Sequence, residues 1–302
     1  MTAPSVTRVT PGSTDAGPPP RNPQPRSWAD RLLALWGLLV LVFLFAPIVV
    51  VVIYSFNEGR LLIAWDHFGL GSYTGLLDRP AIISAIKVSL QVAVLSGVVA
   101  TILGTLAGVA MARRPGRWAY VFMVLLLLVS VTPEIVDAVS LLPWFVYLGA
   151  DAGMAVFNNG LVRLVIGHSL FSTAVVSYIV RARLIGIDES LEEASADLYA
   201  VGHRTFRKIT VPLAMPAVLS GFLLSFTLSL DNTIVSAFVQ VSGSTPWPVY
   251  VLSSLRSGLR PEIAAMSTIM LILTLLALSL VAVVLRRSGD SAADIARTMG
   301  GG

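Results

Sequence analysis

Three carboxylates stand where carboxylates are costly. Glu134 and Asp137 follow Pro133 midway along one apolar stretch, and Asp231 lies inside another. Their i, i+3 spacing puts Glu134 and Asp137 on one face of a helix. A charge at the centre of a bilayer costs about 2.5–3.5 kcal/mol on insertion scales, so such a residue faces a bundle interior or a water-filled path. Two uses are open. The acids can hydrogen-bond across helices, or they can line a path for a charged solute. Trp144 and Tyr147, further along the stretch that holds Glu134, either supply ring faces to a cation or pack and seat at a membrane interface.

Other chemistries are excluded by residue type. Cysteine is absent, which removes disulfides, thiolate metal sites and thiol nucleophiles. His67, His168 and His203 are far apart and show no ligand spacing. Lys87 and Lys208, the two lysines, lie in no G-x-x-x-x-G-K-[ST] loop. The chain is therefore expected to bind no metal, cofactor or nucleotide itself.

The elements that carry the acids are membrane helices. Of 302 residues, 55% are hydrophobic and 13% charged, and mean hydropathy is +0.81. About 25% charge is usual for a soluble domain, so too little remains here to cover a water-facing surface. Six apolar runs each reach the roughly 20 residues that cross hydrocarbon as a helix. They are Leu32–Phe56, Ile82–Ala112, Trp118–Leu148, Leu161–Val180, Leu213–Val239 and Ile263–Leu285. The fold class is all-α and polytopic. Ala100, Gly104, Gly108 and Ala112 recur every four residues in the second run, a stripe for close helix packing.

The pI of about 9.7 reflects sorting by loop rather than a nucleic-acid partner. With the N-terminus inside, Arg60, Arg79, Lys87, Arg163, Arg256 and Arg260 fall outside, and the other fifteen of the 21 basic residues fall inside. That is a positive-inside asymmetry with both termini cytoplasmic. Residues 1–31 read as a cytoplasmic N-terminal tail, disordered where Pro, Ser, Thr and Gly dominate, with no cleavable signal. Residues 286–302 read as a C-terminal tail. Arg256 and Arg260, on the last outer loop, either meet the acidic face of a delivery protein or are solvated. Trp247 between Pro246 and Pro248 reads as a rigid loop seated at the interface.

Residues 181–212 interrupt the apolar pattern with a crowd of charge. Ser190 and Glu193 make an S-x-x-E capping box that opens a helix. Leu191, Ala194, Leu198 and Val201 give it one apolar stripe, and Glu192, Asp197 and Arg204 lie off it. Gly202 can break the helix, and "HRTFRKI" reads as a second turn before Pro212. This is either an amphipathic helix lying on the membrane surface or a docking element for a soluble partner's groove.

The insert resembles the "EAA" motif of ABC importer permeases. Glu193, Ala194 and Ser195 open it, and Ile209, Val211 and Pro212 close it at the family's distance. Tyr199 occupies the motif's glycine position, and the nearest glycine is Gly202. "RARL" (181–184), "PLAMPAVLSGFLLSFTLSLDNTIVSAFV" (212–239) and "RPEIAAMSTI" (260–269) are similar to the second permease of spermidine/putrescine importers. That type often has two acids in succession where this chain has Asp231 and Asn232.

The resemblance implies a type I ABC importer permease in a bacterial plasma membrane, a subunit without catalysis of its own. The insert would be the coupling helix, seated in a cytoplasmic ATPase dimer that holds ATP and Mg. Leu191, Glu193, Ala194, Leu198, Tyr199, Gly202, Ile209 and Pro212 would make that joint. A second, different permease and an extracytoplasmic binding protein complete the complex. The substrate would be a polyamine met by Glu134, Asp137, Asp231, Trp144 and Tyr147. Alternatives are another small solute such as iron or thiamine, a self-sufficient secondary transporter or channel, or a membrane scaffold that recruits a partner without transport.

Overall fold

The computed structural model describes residues 28–287 apart from 60, 61, 63, 77, 257 and 259. Most of both expected tails lies outside these residues. Their inner bounds are corrected: Trp28–Arg31 is already helix, and the last helix runs through Arg287. Helices outlast the apolar runs because polar residues continue the turn at their ends.

The chain divides into two units, residues 1–49 and 50–302. The first contributes most of α1, Trp28–Tyr54, a 27-residue helix that is apolar all round. The second unit is helical throughout its spans. It holds α2 (Pro80–Arg113), α3 (Arg117–Val131), α4 (Glu134–Val146), α5 (Gly160–Ile185), α6 (Ser190–Asp197), α7 (Val211–Asp231), α8 (Ile234–Val239), α9 (Trp247–Ser254) and α10 (Pro261–Arg287). Among the described residues, five helices are long and apolar enough to cross a membrane, or six if α3 and α4 count as one bent span.

Local sequence sets the ends. Pro80 opens α2, where its missing N–H costs nothing. Asn159 caps α5, its side chain accepting from Leu161 N at 2.9 Å and Val162 N at 3.4 Å. Arg163 pins the same end: it is buried, donates to the carbonyls of Phe157 and Phe145, and lies over the Phe145 ring.

The core is built on α2, α5 and α7. Ala100, Gly104, Gly108 and Ala112 are all buried, as the four-residue stripe requires. A Cβ on Gly104 would fall 2.6 Å from Val176 Cβ and 3.0 Å from Thr173 O. Gly104→Leu is therefore expected to destabilise the bundle by about 1–3 kcal/mol or more, because backbone as well as side chain must retreat. A drop in Tm of the detergent-solubilised protein checks it.

Two expected spans are discontinuous. The run Trp118–Leu148 is α3 and α4, bent by 101° at Thr132–Pro133. Proline forces its predecessor into extended backbone, and Thr132 has ψ 129°. The run Leu213–Val239 is α7 and α8, parted at Asn232 and Thr233. The insert is shorter than expected at both ends. α5 continues to Ile185, taking in Arg181 and Arg183. On the other side Gly202–Thr205, a π turn at Phe206–Thr210 and α7 follow without a gap, so Pro212 lies within a helical run. Trp247 is not in a loop: it opens α9, is buried, and its backbone N–H donates to Ser89 Oγ at 2.7 Å.

Candidate functional site

The two discontinuities meet. Glu134 is the first residue of α4, and a helix N-terminus favours negative charge. Its Oε1 accepts from Asn232 Nδ2 at 3.0 Å. The other end of the same amide, Asn232 Oδ1, accepts from Val235 N at 3.1 Å and so satisfies a free donor at the start of α8. One side chain thus starts α8 and ties it to the first turn of α4. An amide can do both because it donates and accepts; a carboxylate at 232 would accept only.

Asp231 ends α7, is exposed, and is joined through the chain to Asn232. It lines an open cleft of about 500 Å³ with Thr227, Thr233, Trp247, Ser267 and Thr274. Asp137 is half-buried one turn into α4. Glu134 and Asn232 are therefore brought together, with Asp231 next along the chain. Trp144 and Tyr147 are not. Trp144 stands ten residues, about 15 Å of helix, beyond Glu134. Both rings are exposed and edge to face with each other, centroids 6.1 Å apart. The aromatic residue on the cleft that Asp231 lines is Trp247.

His168, set aside from sequence for want of a ligand set, is a second tie across the same break. It is 3% exposed. Its Nδ1 meets Ser229 Oγ at 2.7 Å and its Nε2 meets Ser236 Oγ at 2.9 Å. Ser96 Oγ of α2 donates to Ser229 Oγ at 3.0 Å. The ring spans α7 to α8, one serine on each side of the break. The legible sign was two serines seven residues apart flanking Asn232, which needs a tertiary partner to acquire meaning.

The polar insert is a second site. α6 is eight residues long, Ser190–Asp197, and it starts differently from the expected capping box. Ser190 is the first helical residue and Glu189 the cap position, and Asp188 ahead of them accepts from Ser190 N at 2.9 Å. That backbone hydrogen bond holds the Asp188 carboxyl below its ordinary range. The helix ends four residues before Val201, and the bend is at Tyr199 rather than Gly202. Tyr199 has φ 56°, the left-handed region, and Tyr199 N and Ala200 N donate to the carbonyls of Ala196 and Ser195. This is a Schellman turn with tyrosine where glycine is usual, which accounts for the glycine in the motif.

Tyr199→Gly should relieve about 1 kcal/mol of left-handed strain and slow hydrogen exchange at the Ala200 amide about fivefold. Exchange mass spectrometry on the loop peptide reads it.

The faces of the insert are reversed relative to a helix floating on its own apolar stripe. Leu191 is 48% exposed, Val201 69%, Leu198 82% and Tyr199 97%. Glu193, Ala194, Gly202 and Pro212 are also exposed, and Ile209 is half-buried. The inward face is polar. Ser195 Oγ meets Thr205 Oγ1 at 2.8 Å, and Glu192 Oε1 accepts from Arg113 Nε at 3.0 Å and Thr210 Oγ1 at 2.9 Å. Sequence patterning placed Glu192 off the stripe but had no means of finding its partners, one of which is 79 residues away.

Comparison with known proteins agrees with this architecture. Residues 100–291 match the family described as "Binding-protein-dependent transport system inner membrane component". The chain is 38% identical over 244 residues to the putrescine transport system permease protein PotI of Escherichia coli (strain K12), covering 78% of this chain and 85% of that protein. It is 36% identical over 237 residues to the spermidine/putrescine transport system permease protein PotC of Haemophilus influenzae, covering 78% and 90%. Among solved structures, a bacterial ABC transporter involved in the import of the acidic polysaccharide alginate aligns with TM-score 0.61 at 17% identity, over 85% of this chain and 98% of that one. The inward-facing MetNI methionine ABC transporter aligns with TM-score 0.57 at 17% identity, over 68% and 95%. At that identity the likeness is one of fold.

Proposed function

This chain belongs to the family of inner membrane components of binding-protein-dependent transport systems, and from that premise we propose that it is a permease of an ATP-driven polyamine importer. It does no covalent chemistry. A binding protein delivers substrate from outside. ATP closes a cytoplasmic ATPase dimer whose cleft takes α6 and the Tyr199 turn, and a second, different permease completes the path. The relatives named above transport putrescine and spermidine, and they align over most of this chain.

The observation that carries the cation reading is the junction of the two broken spans, where Glu134 faces Asn232 beside Asp231. Ammonium groups of a polyamine lose water on entering such a path. Carboxylates presented in succession replace that water one group at a time, and Asp231 opens on a cleft lined also by the hydroxyls of Thr227, Thr233, Ser267 and Thr274. The apolar turn at Leu198 and Tyr199 supports the ATPase joint, because both large side chains stay exposed among the described residues.

The test is reconstitution of the complete complex in liposomes, with labelled spermidine, putrescine, thiamine and iron offered in turn. ATP-dependent uptake of a polyamine is expected. Robust uptake of thiamine or iron, with both polyamines refused, overturns the substrate.

A further inference from the structure

We propose that Arg113 and Glu192 are positioning residues for transport, a latch that makes the docking insert and the ends of the core helices one lever. The proposal rests on the ATPase joint at α6. It concerns the inward face of that insert, not the outward face that would touch a partner.

An eight-residue helix is marginal by itself and needs tertiary contacts to hold its place. Apart from Ile187 just ahead of it, the insert has little apolar purchase on the bundle, since its large side chains point outward. What holds it is polar and converges on one guanidinium. The Arg113 side chain is 11% exposed. Its Nε donates to Glu192 Oε1 at 3.0 Å, and its Nη1 donates to Leu184 O at 3.1 Å and Glu189 Oε1 at 3.4 Å. Glu192 Oε1 also accepts from Thr210 Oγ1 at 2.9 Å. Arg113 ends α2, Leu184 lies in the last turn of α5, Glu192 is in α6, and Thr210 closes the π turn that leads into α7. Four elements meet on one ion pair.

The consequence is mechanical. A push on α6 from below is shared at once by α2, α5 and α7, the helices of the core. Without the pair, the push is absorbed by the turns at 186–189 and 198–201, and the core does not follow. Guanidinium geometry suits the task, because its fork reaches a carboxylate and a carbonyl in fixed directions.

The test uses the full complex in proteoliposomes, with Arg113→Gln, Glu192→Gln, the double variant, Thr210→Val and Arg113→Lys. Three quantities are read: ATPase retained on the purified chain, ATP hydrolysed, and substrate imported. Retention and hydrolysis are expected to persist in all variants, because Glu193, Leu198 and Tyr199 are untouched. Import per ATP is expected to fall about tenfold in Arg113→Gln and in Glu192→Gln, with the double variant no worse than either. Thr210→Val is expected to fall less, and Arg113→Lys to recover part of the loss. Unchanged import per ATP in both single variants overturns the latch. So does a loss of import matched by equal loss of assembled complex, which is the signature of a merely structural pair. A wild-type chain that captures no ATPase overturns the underlying reading and the latch with it.

Discussion

Glu193→Arg is expected to strip the ATPase from the purified chain while leaving the bundle folded. Glu193 is exposed on α6 and has no ion pair among the described residues, whereas its neighbour Glu192 is turned inward onto Arg113 and Thr210. Adjacent positions on a helix point about 100° apart, so two consecutive glutamates serve two faces. Reversing the outer charge removes no hydrogen bond or ion pair of the Glu193 side chain among the described residues. It does set a cation against whatever basic group of the ATPase the carboxylate met. Loss of a desolvated charge contact costs about 2–5 kcal/mol in binding, or roughly 30- to several-thousand-fold in affinity. Co-purification after mild washing should show the permease alone, with Tm unchanged. Deleting residues 191–201 should have the same effect on capture. If Glu193→Arg still brings down a full complement of ATPase, the outward face of α6 is not the joint.

What the sequence made legible follows from the range of the forces involved. Six apolar runs, the packing stripe and the polar insert are written in local composition, and each is present. The two broken spans were half-written: Pro133 announces the first, but the second depends on Asn232, an ordinary polar residue until Glu134 lies against it. Ends of helices were misplaced for a related reason. Hydropathy reports where hydrocarbon stops, while hydrogen bonding decides where a helix stops, as at Ile185 and at the run through Pro212. The insert shows the sharpest case. The apolar stripe is legible and stays exposed, but the inward face is a polar cluster completed by α2 and the π turn, which no periodicity within residues 190–201 can reveal. Trp144 and Tyr147 were grouped with the acids by proximity in sequence, and the length of α4 keeps Trp144 well away from Glu134.

Charge-neutral variants at the junction separate transport from packing. Glu134→Gln keeps an oxygen that can accept from Asn232 Nδ2, so a purely structural role survives it. A role in replacing the water around an ammonium group does not, because the charge is gone. A hydrogen bond to a charged partner contributes about 1.5–3 kcal/mol, so kcat/KM for polyamine uptake is expected to fall roughly 10- to 150-fold in Glu134→Gln and similarly in Asp231→Asn. ATPase capture and Tm should be unaffected in both. The opposite change is Asn232→Asp. Its Oδ1 still accepts from Val235 N, so α8 still begins where it does. But the donor to Glu134 is lost, and two carboxylates then face each other at about 3 Å unless a cation lies between them. A polyamine ammonium is such a cation, so this variant is expected to lower the KM for spermidine while slowing release. The two neutral variants thus weaken polyamine capture and the acidic one strengthens it if the junction touches substrate. If it only fastens α4 to α8, Glu134→Gln is silent, and Asn232→Asp destabilises the fold without favouring any solute.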